Sequence, residues 1–503
     1  VCSSDLWGGR PPGLALLPLA QADDGADAAD AAGAKAARLA AASRAGLPVL
    51  PGWVVPCGQA RPALRAGAAA VRAGRAAAAR RAVLSRPLDP ALAAELAAAV
   101  TGLGGRVIVR SSSPLERDPR WSGAFRSVAE VGSQDVATAV RSCWSAAFAA
   151  DPLARLAAAG LPVEALELAL LIQPELRPDA GGVARVTPGT PAAVSVPGFT
   201  PYKGENSKRS WSRAPASGTE VLIEGVSGHP GPLLSGWAEG ESARVWLPPR
   251  EAADGDASLP AGGLARLIGP AAVMTVARLA ARAYSLLGDD TIEWAVCGGQ
   301  AWLLQSLTGG ARPRTGPEVG RGPDSRTSPD SRTSRDARTG PDARTGPDSR
   351  TGPDARTGPG PAGLAAGAML PPGEDLAGRE RMPLLASAVQ GRGHHLRGRP
   401  AAAGTAAGRL VACRPHQRPD AGTDAILLVD RPLPALAPLL YSARGVIARQ
   451  GAAGSHLAEV ARSLAVPMVT GCRPETVTRS RPPGTCWLAA IDGSTGEVAL
   501  LPG

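Results

Sequence analysis

From Asp324 to Pro361 the chain repeats with a period of six residues, Asp-(Ser/Ala)-Arg-Thr-(Ser/Gly)-Pro, with arginines at 326, 332, 338, 344, 350 and 356, a further Arg335 in place of one proline, and no large apolar side chain. Such a segment has nothing with which to build a core, and one Asp and one Arg per repeat hold it near neutrality, so it is expected to be disordered. The chain must therefore fold on either side of it. The expected division is a large body over 22–310, a disordered linker over 311–361, a poorly patterned connector over 362–395 and a smaller body over 396–503. Residues 1–6, Val-Cys-Ser-Ser-Asp-Leu, read as the translated end of a sequencing adapter and are expected to be non-native.

Charge and composition remove several function classes. Lysine and arginine total 54 against 44 acids, yet the only lysines are Lys35, Lys203 and Lys208, so the positive charge is almost wholly arginine. Nucleic-acid binding calls for clustered arginine and aromatic stacking platforms, whereas aromatics are 3% and the arginines are scattered. No nucleic-acid partner is expected. No apolar run approaches the length of a membrane span, so no membrane partner is expected either. Seven cysteines, an odd number without a CxxC pair, favour reduced thiols in a cytoplasmic setting.

The candidate for the chemistry lies near the carboxyl end, where Gly451-Ala-Ala-Gly-Ser-His456 runs into Leu457-Ala-Glu-Val-Ala-Arg-Ser-Leu464. Leu457, Val460, Ala461 and Leu464 form an i, i+3, i+4, i+7 apolar stripe, and Ser455 stands where an N-cap belongs. A helix is predicted to start at His456. The glycine-containing loop lets backbone N–H groups approach an anion, and the positive helix end favours a phosphate on or near the imidazole. The other histidines, 229, 394, 395 and 416, lie in Pro/Gly/Arg-rich segments without ligand spacing. This junction resembles the phosphohistidine, or swivelling, domain of phosphoenolpyruvate-utilising enzymes, with the pattern GGxTSHxAxxARxxxxPxVxG. Ser455, His456, Ala458, Ala461, Arg462, Pro467, Val469 and Gly471 fit, while Ala452 and Gly454 replace a glycine and a threonine. The resemblance implies that His456 carries a phosphoryl group.

The larger body opens with Gly33-Ala-Lys35 and an alanine-rich helix ended by Gly46 and Pro48, followed by a strand over 49–55. A strand over Arg106–Arg110 delivers Arg110 and three serines to its end, a sensible phosphate-contact arrangement. Residues 168–173 form an apolar strand ending at Gln173. Thr291 to Cys297 and Ala301 to Ser306 read as a hairpin closed by a three-residue Gly-Gly-Gln loop. In that register Glu293 faces Gln305 with side chains about 5 Å apart, and Ile292, Trp294 and Val296 share the other face with Trp302 and Leu304. A carboxylate and an amide oxygen side by side suit Mg²⁺.

These segments are similar to the nucleotide-binding domain of pyruvate phosphate dikinases and phosphoenolpyruvate synthases, through GGKxxxL…GxPVPxGxxV, VRSSAxxED…FAGxxxTxxxV, VQxMV…GVxFTxxP and DIEWA…LWxLQxRP. The resemblance implies Lys35 and Arg110 on ATP phosphates, Gly123 in the loop covering the nucleotide, Gln173 on the strand beside adenine, and Glu293 with Gln305 on Mg²⁺. Ala34 replaces a glycine, Arg185 and Val186 depart from the usual Phe and its neighbour, and Leu307 replaces the family's phosphate-contacting arginine. The implied fold is α/β (α+β): an ATP-grasp-like nucleotide domain, the disordered linker and a β/α swivelling phosphohistidine domain, without the pyruvate barrel. The implied activity is a dikinase-type phosphotransferase in which Mg-ATP phosphorylates His456, AMP leaves, and an unidentified acceptor takes the phosphoryl group. The alternatives are a catalytically degenerate nucleotide-binding regulator or a rifamycin-like antibiotic phosphotransferase. Oligomeric state is left open.

Overall fold

The computed structural model describes residues 16–22, 26–189, 218–248, 262–308, 393–413, 425–478 and 486–502. Residues 1–6, the 311–361 linker with its repeats and the connector up to 392 lie outside them. The larger body holds two five-stranded antiparallel sheets. The first contains Leu17–Pro18 (β1), Trp53–Val55 (β2), Val107–Ser112 (β3), Val128–Val131 (β4) and Ala169–Pro174 (β5), ordered β1-β2-β5-β3-β4. β5 reads as an unbroken apolar run because both of its faces are covered. Leu170 and Ile172 pack into a core with the helices Cys57–Arg72, Pro90–Gly102 and Val136–Ala146, while Ala169 and Leu171 enter a second core. The strand expected over 49–55 is shorter than predicted. Pro51 has no N–H to donate, so only Trp53–Val55 join the ladder and Val49 makes a lone bridge to Leu303.

The second sheet contains Ala180–Gly189 (β6), Gly218–Ser227 (β7), Glu241–Leu247 (β8), Thr291–Cys297 (β9) and Gln300–Leu307 (β10), ordered β10-β9-β6-β7-β8. One face packs around the fully buried Trp294 against the helices Pro270–Leu287 and Ala26–Arg44. The hairpin differs from its expected form. Its turn has two residues, Gly298 and Gly299, with φ of 56° and 78°, and Cys297 pairs with Gln300. Both angles are positive, as the favoured two-residue hairpin turn requires. The one-residue change of register exchanges the faces, so Ala301 and Leu303, not Trp302 and Leu304, join Ile292, Trp294 and Val296 in the core. A β-bulge between Leu303 and Gln305 then restores Gln305 opposite Glu293.

The smaller body is one eight-stranded sheet of His394–Arg397 (β11), Arg399–Ala402 (β12), Thr405–Cys413 (β13), Ala425–Val429 (β14), Gly445–Ala448 (β15), Met468–Thr470 (β16), Trp487–Asp492 (β17) and Glu497–Pro502 (β18). β13 to β16 run parallel, and the remaining pairings are antiparallel. β11 pairs with β18, so the sheet already includes His394 and His395, inside the segment expected to be connector. The helix His456–Ser463 crosses from β15 to β16, with Leu457, Val460 and Ala461 in the core and Leu464 packed at its margin.

The helix carrying Lys35 is set by a close approach. The helical run Ala26–Arg44 is interrupted at Gly33, whose φ of 74° and ψ of 165° are open to glycine and hardly any other residue. Ser112 Oγ donates to Ala32 O at 2.8 Å and accepts the Ala36 N–H at 3.0 Å, clamping both sides of the break. A Cβ at position 33 would lie 2.0 Å from Ser112 O. Gly33→Ala is therefore expected to lower the unfolding free energy by at least about 1–3 kcal/mol and to weaken nucleotide binding. Urea titration followed by tryptophan fluorescence checks the first effect; an unchanged midpoint would show that the break relaxes at no cost.

Candidate active site

Arg110 projects from within β3, which runs on to Ser112, and ties the two sheets together. Its Nη1 donates to Leu304 O at 2.6 Å and to Gln173 Oε1 at 3.3 Å, and its Nη2 lies 3.6 Å from Glu293 Oε2. The bulge makes the first bond available, because Leu304 falls between the paired residues of the β9–β10 ladder. Gln173 is held from its other side, donating to Leu50 O at 3.0 Å. Burial pulls the Arg110 pKa below its ordinary value, and the negative charges of Glu293 and Glu116 oppose that pull. Lys35 is likewise buried at the cleft wall, with Nζ donating to Ser111 O at 2.9 Å and to Glu116 Oε1 at 3.3 Å. Glu116 is fixed in turn by a capping box with Ser113.

Glu293 and Gln305 are paired across the β9–β10 ladder and both line the cleft. Among the described residues, no three His, Cys, Asp or Glu side chains come together as a metal cage. A carboxylate and an amide oxygen nevertheless fit Mg²⁺, which keeps few protein ligands and completes its shell with water and substrate phosphates. Leu307 follows on the same face of β10, buried and paired with Thr291, which pairs with Arg185 on β6. Arg185 thus lies in the same row as Leu307, and its buried Nε and Nη2 meet no hydrogen-bond partner among the described residues.

His456 comes to this cleft from the smaller body. Ser455 caps its helix by accepting the Ala458 N–H at 3.4 Å. The loop before it rests on the second sheet, where Glu224 Oε2 accepts the Gly454 N–H at 2.5 Å and Ala452 packs on Val183. The turn at Ser122 and Gly123 meets the imidazole from the other side. Ser122 Oγ is 2.8 Å from His456 Nδ1, and Gly123, at φ 66°, lies so close that a Cβ there would sit 2.7 Å from His456 Cδ2. Further contacts hold the two bodies together: Arg399 with Glu239 at 2.7 Å, Arg155 Nη2 with Pro434 O at 3.1 Å, and Arg431 5.5 Å above the Trp237 ring. Lys35, Arg110, Gly123, Gln173, Glu293, Gln305 and His456 all line the cleft, which is partly open to solvent.

Several groups at this site carry no mark in the sequence. His229 lines the same cleft; its Nδ1 accepts the Gly231 N–H at 3.0 Å, which leaves Nε2–H as a donor. Desolvation at the cleft wall and then the charge of Arg110 hold His229 below the usual imidazole range, with Glu293 and Glu175 opposing. Ser122, Glu224 and Glu459 meet the histidine loop through contacts more than 200 positions apart or, for Glu459, one helical turn along, and no local pattern marks them. Arg185 alone carries a signal, as a departure from the family pattern. The Arg110–Glu293 pair yields a test. A double-mutant cycle of Arg110→Met with Glu293→Gln is expected to give a favourable coupling of about 0.5–3 kcal/mol in urea unfolding, and strict additivity would mean that the buried pair contributes nothing.

Residues 29–236 match the family model for the pyruvate phosphate dikinase AMP/ATP-binding domain, and residues 422–496 match that for the mobile domain of PEP-utilising enzymes. No curated protein matches the chain. Among solved structures, the holo form of Thermococcus kodakaraensis aconitase X is 19% identical over 21% of this chain and 98% of its own, at a TM-score of 0.17, a likeness that carries no argument. Two lobes of antiparallel sheet around a cleft, a swivelling-type domain bearing a helix-initial histidine, and these two matches together identify the chain as a member of the pyruvate phosphate dikinase and phosphoenolpyruvate synthase-like family, with an ATP-grasp-like domain and a PEP-utilising mobile domain.

Proposed function

We propose that this ATP-binding member of the PEP-utilising enzymes is a dikinase-type phosphotransferase whose own histidine is the first acceptor. The observation that carries the reading is the presence of the His456 imidazole on the wall of the cleft that also holds Lys35, Arg110, Glu293 and Gln305. His456 Nε2 forms a bond to the β-phosphorus of ATP as the bond to the α-phosphate oxygen breaks and AMP leaves. Phosphate or water then takes the outer phosphoryl group, and the remaining one passes from His456 to an acceptor whose identity is open. The protein's part is positioning and charge neutralisation. Lys35 and Arg110 face the phosphates; Gln173 and the β5 strand end border the base; Gly123 keeps the imidazole close by having no side chain. Glu293 and Gln305 would hold Mg²⁺, which would supply neutralisation of the phosphate charge.

The linker of 311–361 is proposed to tether the mobile domain. The direct contacts between the bodies add a docked state in which the histidine meets the nucleotide side. An acceptor site in residues 189–260 or in the connector would fall largely outside the described residues. Leu307 favours a second reading, a nucleotide-binding regulator without full turnover, since a buried apolar side chain stands on the Gln305 face of β10 where the family has a guanidinium.

His456→Ala is expected to abolish incorporation of label from β-³²P-ATP while leaving nucleotide binding within a factor of about two, because the histidine belongs to the other body; acid-labile label on the variant would identify a different carrier. Leu307→Arg is expected to raise AMP formation several-fold, measured by chromatography of nucleotides. A folded variant with no gain, in a chain whose wild type forms no AMP, would favour the regulatory reading.

A further inference from the structure

The immediate surroundings of His456 Nδ1 are assigned by nothing in the family pattern. Ser122 stands where that pattern has alanine, and Glu459 fills a position that it leaves unspecified. Glu459 lies three residues beyond His456, one turn along the same helix, so both side chains share a face. Glu459 is 6% exposed, and Ser122, from the nucleotide-binding body, is 8% exposed. Ser122 Oγ donates to Glu459 Oε2 in a short hydrogen bond and lies 2.8 Å from His456 Nδ1, while Glu459 Oε2 is 3.6 Å from that same nitrogen. A hydroxyl has one proton. With that proton given to the carboxylate, Ser122 can only accept from His456, and Nδ1 must carry the hydrogen.

We propose that Ser122 and Glu459 are positioning residues which, when the two bodies dock, hold His456 as the Nδ1–H tautomer and so leave the Nε2 lone pair facing the cleft. The inference rests on the reading of His456 as the phosphoryl acceptor. When Nε2 bonds to phosphorus and the bond to the leaving nucleotide breaks, the ring keeps its Nδ1 proton and acquires positive charge. The buried Glu459 carboxylate compensates that charge, and no proton has to move. Burial by itself would raise the Glu459 pKa, but the hydrogen bond and charge of His456, then Arg462 and Ser122, hold it below the ordinary carboxylate value, in keeping with an ionised acceptor. Because Ser122 and Glu459 belong to different bodies, the arrangement is complete only in the docked state.

The test uses the full chain labelled with ¹⁵N-histidine, with the His456 signals assigned by their absence in His456→Gln. Two-bond ¹H–¹⁵N spectra are expected to show a protonated Nδ1 and an unprotonated Nε2 in the wild type. Ser122→Ala and Glu459→Gln, each checked for a native circular-dichroism spectrum and melt, are expected to lower the Nδ1–H fraction. They are also expected to slow single-turnover phosphorylation on the order of 10–100-fold, the range typical of losing a group that orients a histidine, without changing ATP affinity. A wild type dominated by Nε2–H, or a tautomer ratio that neither substitution moves, overturns the proposal. The spectra need no phosphorylation, so absence of label on the wild type would remove the transfer reading and leave the tautomer result standing.

Discussion

The shape of the cleft depends on one buried cation. Arg110 reaches from β3 of the first sheet to a backbone carbonyl and a carboxylate of the second, with Gln173 locked against it. A buried guanidinium is tolerable only when its N–H groups are spoken for, and breaking such an arrangement leaves an uncompensated charge inside the protein. The two lobes are therefore held at the spacing at which Arg110 can satisfy both. Glu293 serves two relations at once, facing Gln305 across its ladder and balancing Arg110. A nucleotide and its metal would enter a site whose charges are already partly matched within the protein.

The second body meets the first through polar and close backbone contacts more than through apolar burial. Gly236 packs against Pro432, Glu224 accepts from the loop at Gly454, and Ser122 and Gly123 surround the imidazole, while Ala452 with Val183, Leu233 and Leu234 forms only a small apolar patch. Such an interface suits a domain that docks and leaves. It also brings charges of both signs together. Arg462, half-buried beside the histidine loop, is pulled down to about 9 by desolvation and then by the charge of Arg185, with Glu459, Glu224 and Asp290 opposing. There Arg185 Nε, Arg185 Nη2 and Arg462 Nε are buried without hydrogen-bond partners among the described residues.

What was legible in the sequence was whatever is local. The stripe of Leu457, Val460 and Ala461 and the cap at Ser455 define the His456 helix within one turn of chain, and the structure shows both. The Glu293–Gln305 pairing was also legible, though by a route that the sequence hid. A two-residue turn shifted the hairpin by one, and a bulge at Leu304 shifted it back. Turn length and bulge position are set by how side chains pack on the two faces of a finished sheet, so Trp302 and Leu303 could not be assigned to their faces beforehand.

By itself the sequence determined the helix that presents His456 and the apolar stripe that seats it, since these follow from periodicity and capping over a few residues; the phosphate and metal roles expected of Lys35, Arg110, Glu293 and Gln305 came from the family resemblance. Only the tertiary structure decided that these residues share one cleft, that Arg110 joins both sheets through the Leu304 carbonyl, and that Ser122 and Glu459 meet at Nδ1 of the histidine. Ser122 and His456 are 334 positions apart. Their contact depends on how two separately built bodies fit together, and a local pattern carries no information about that fit.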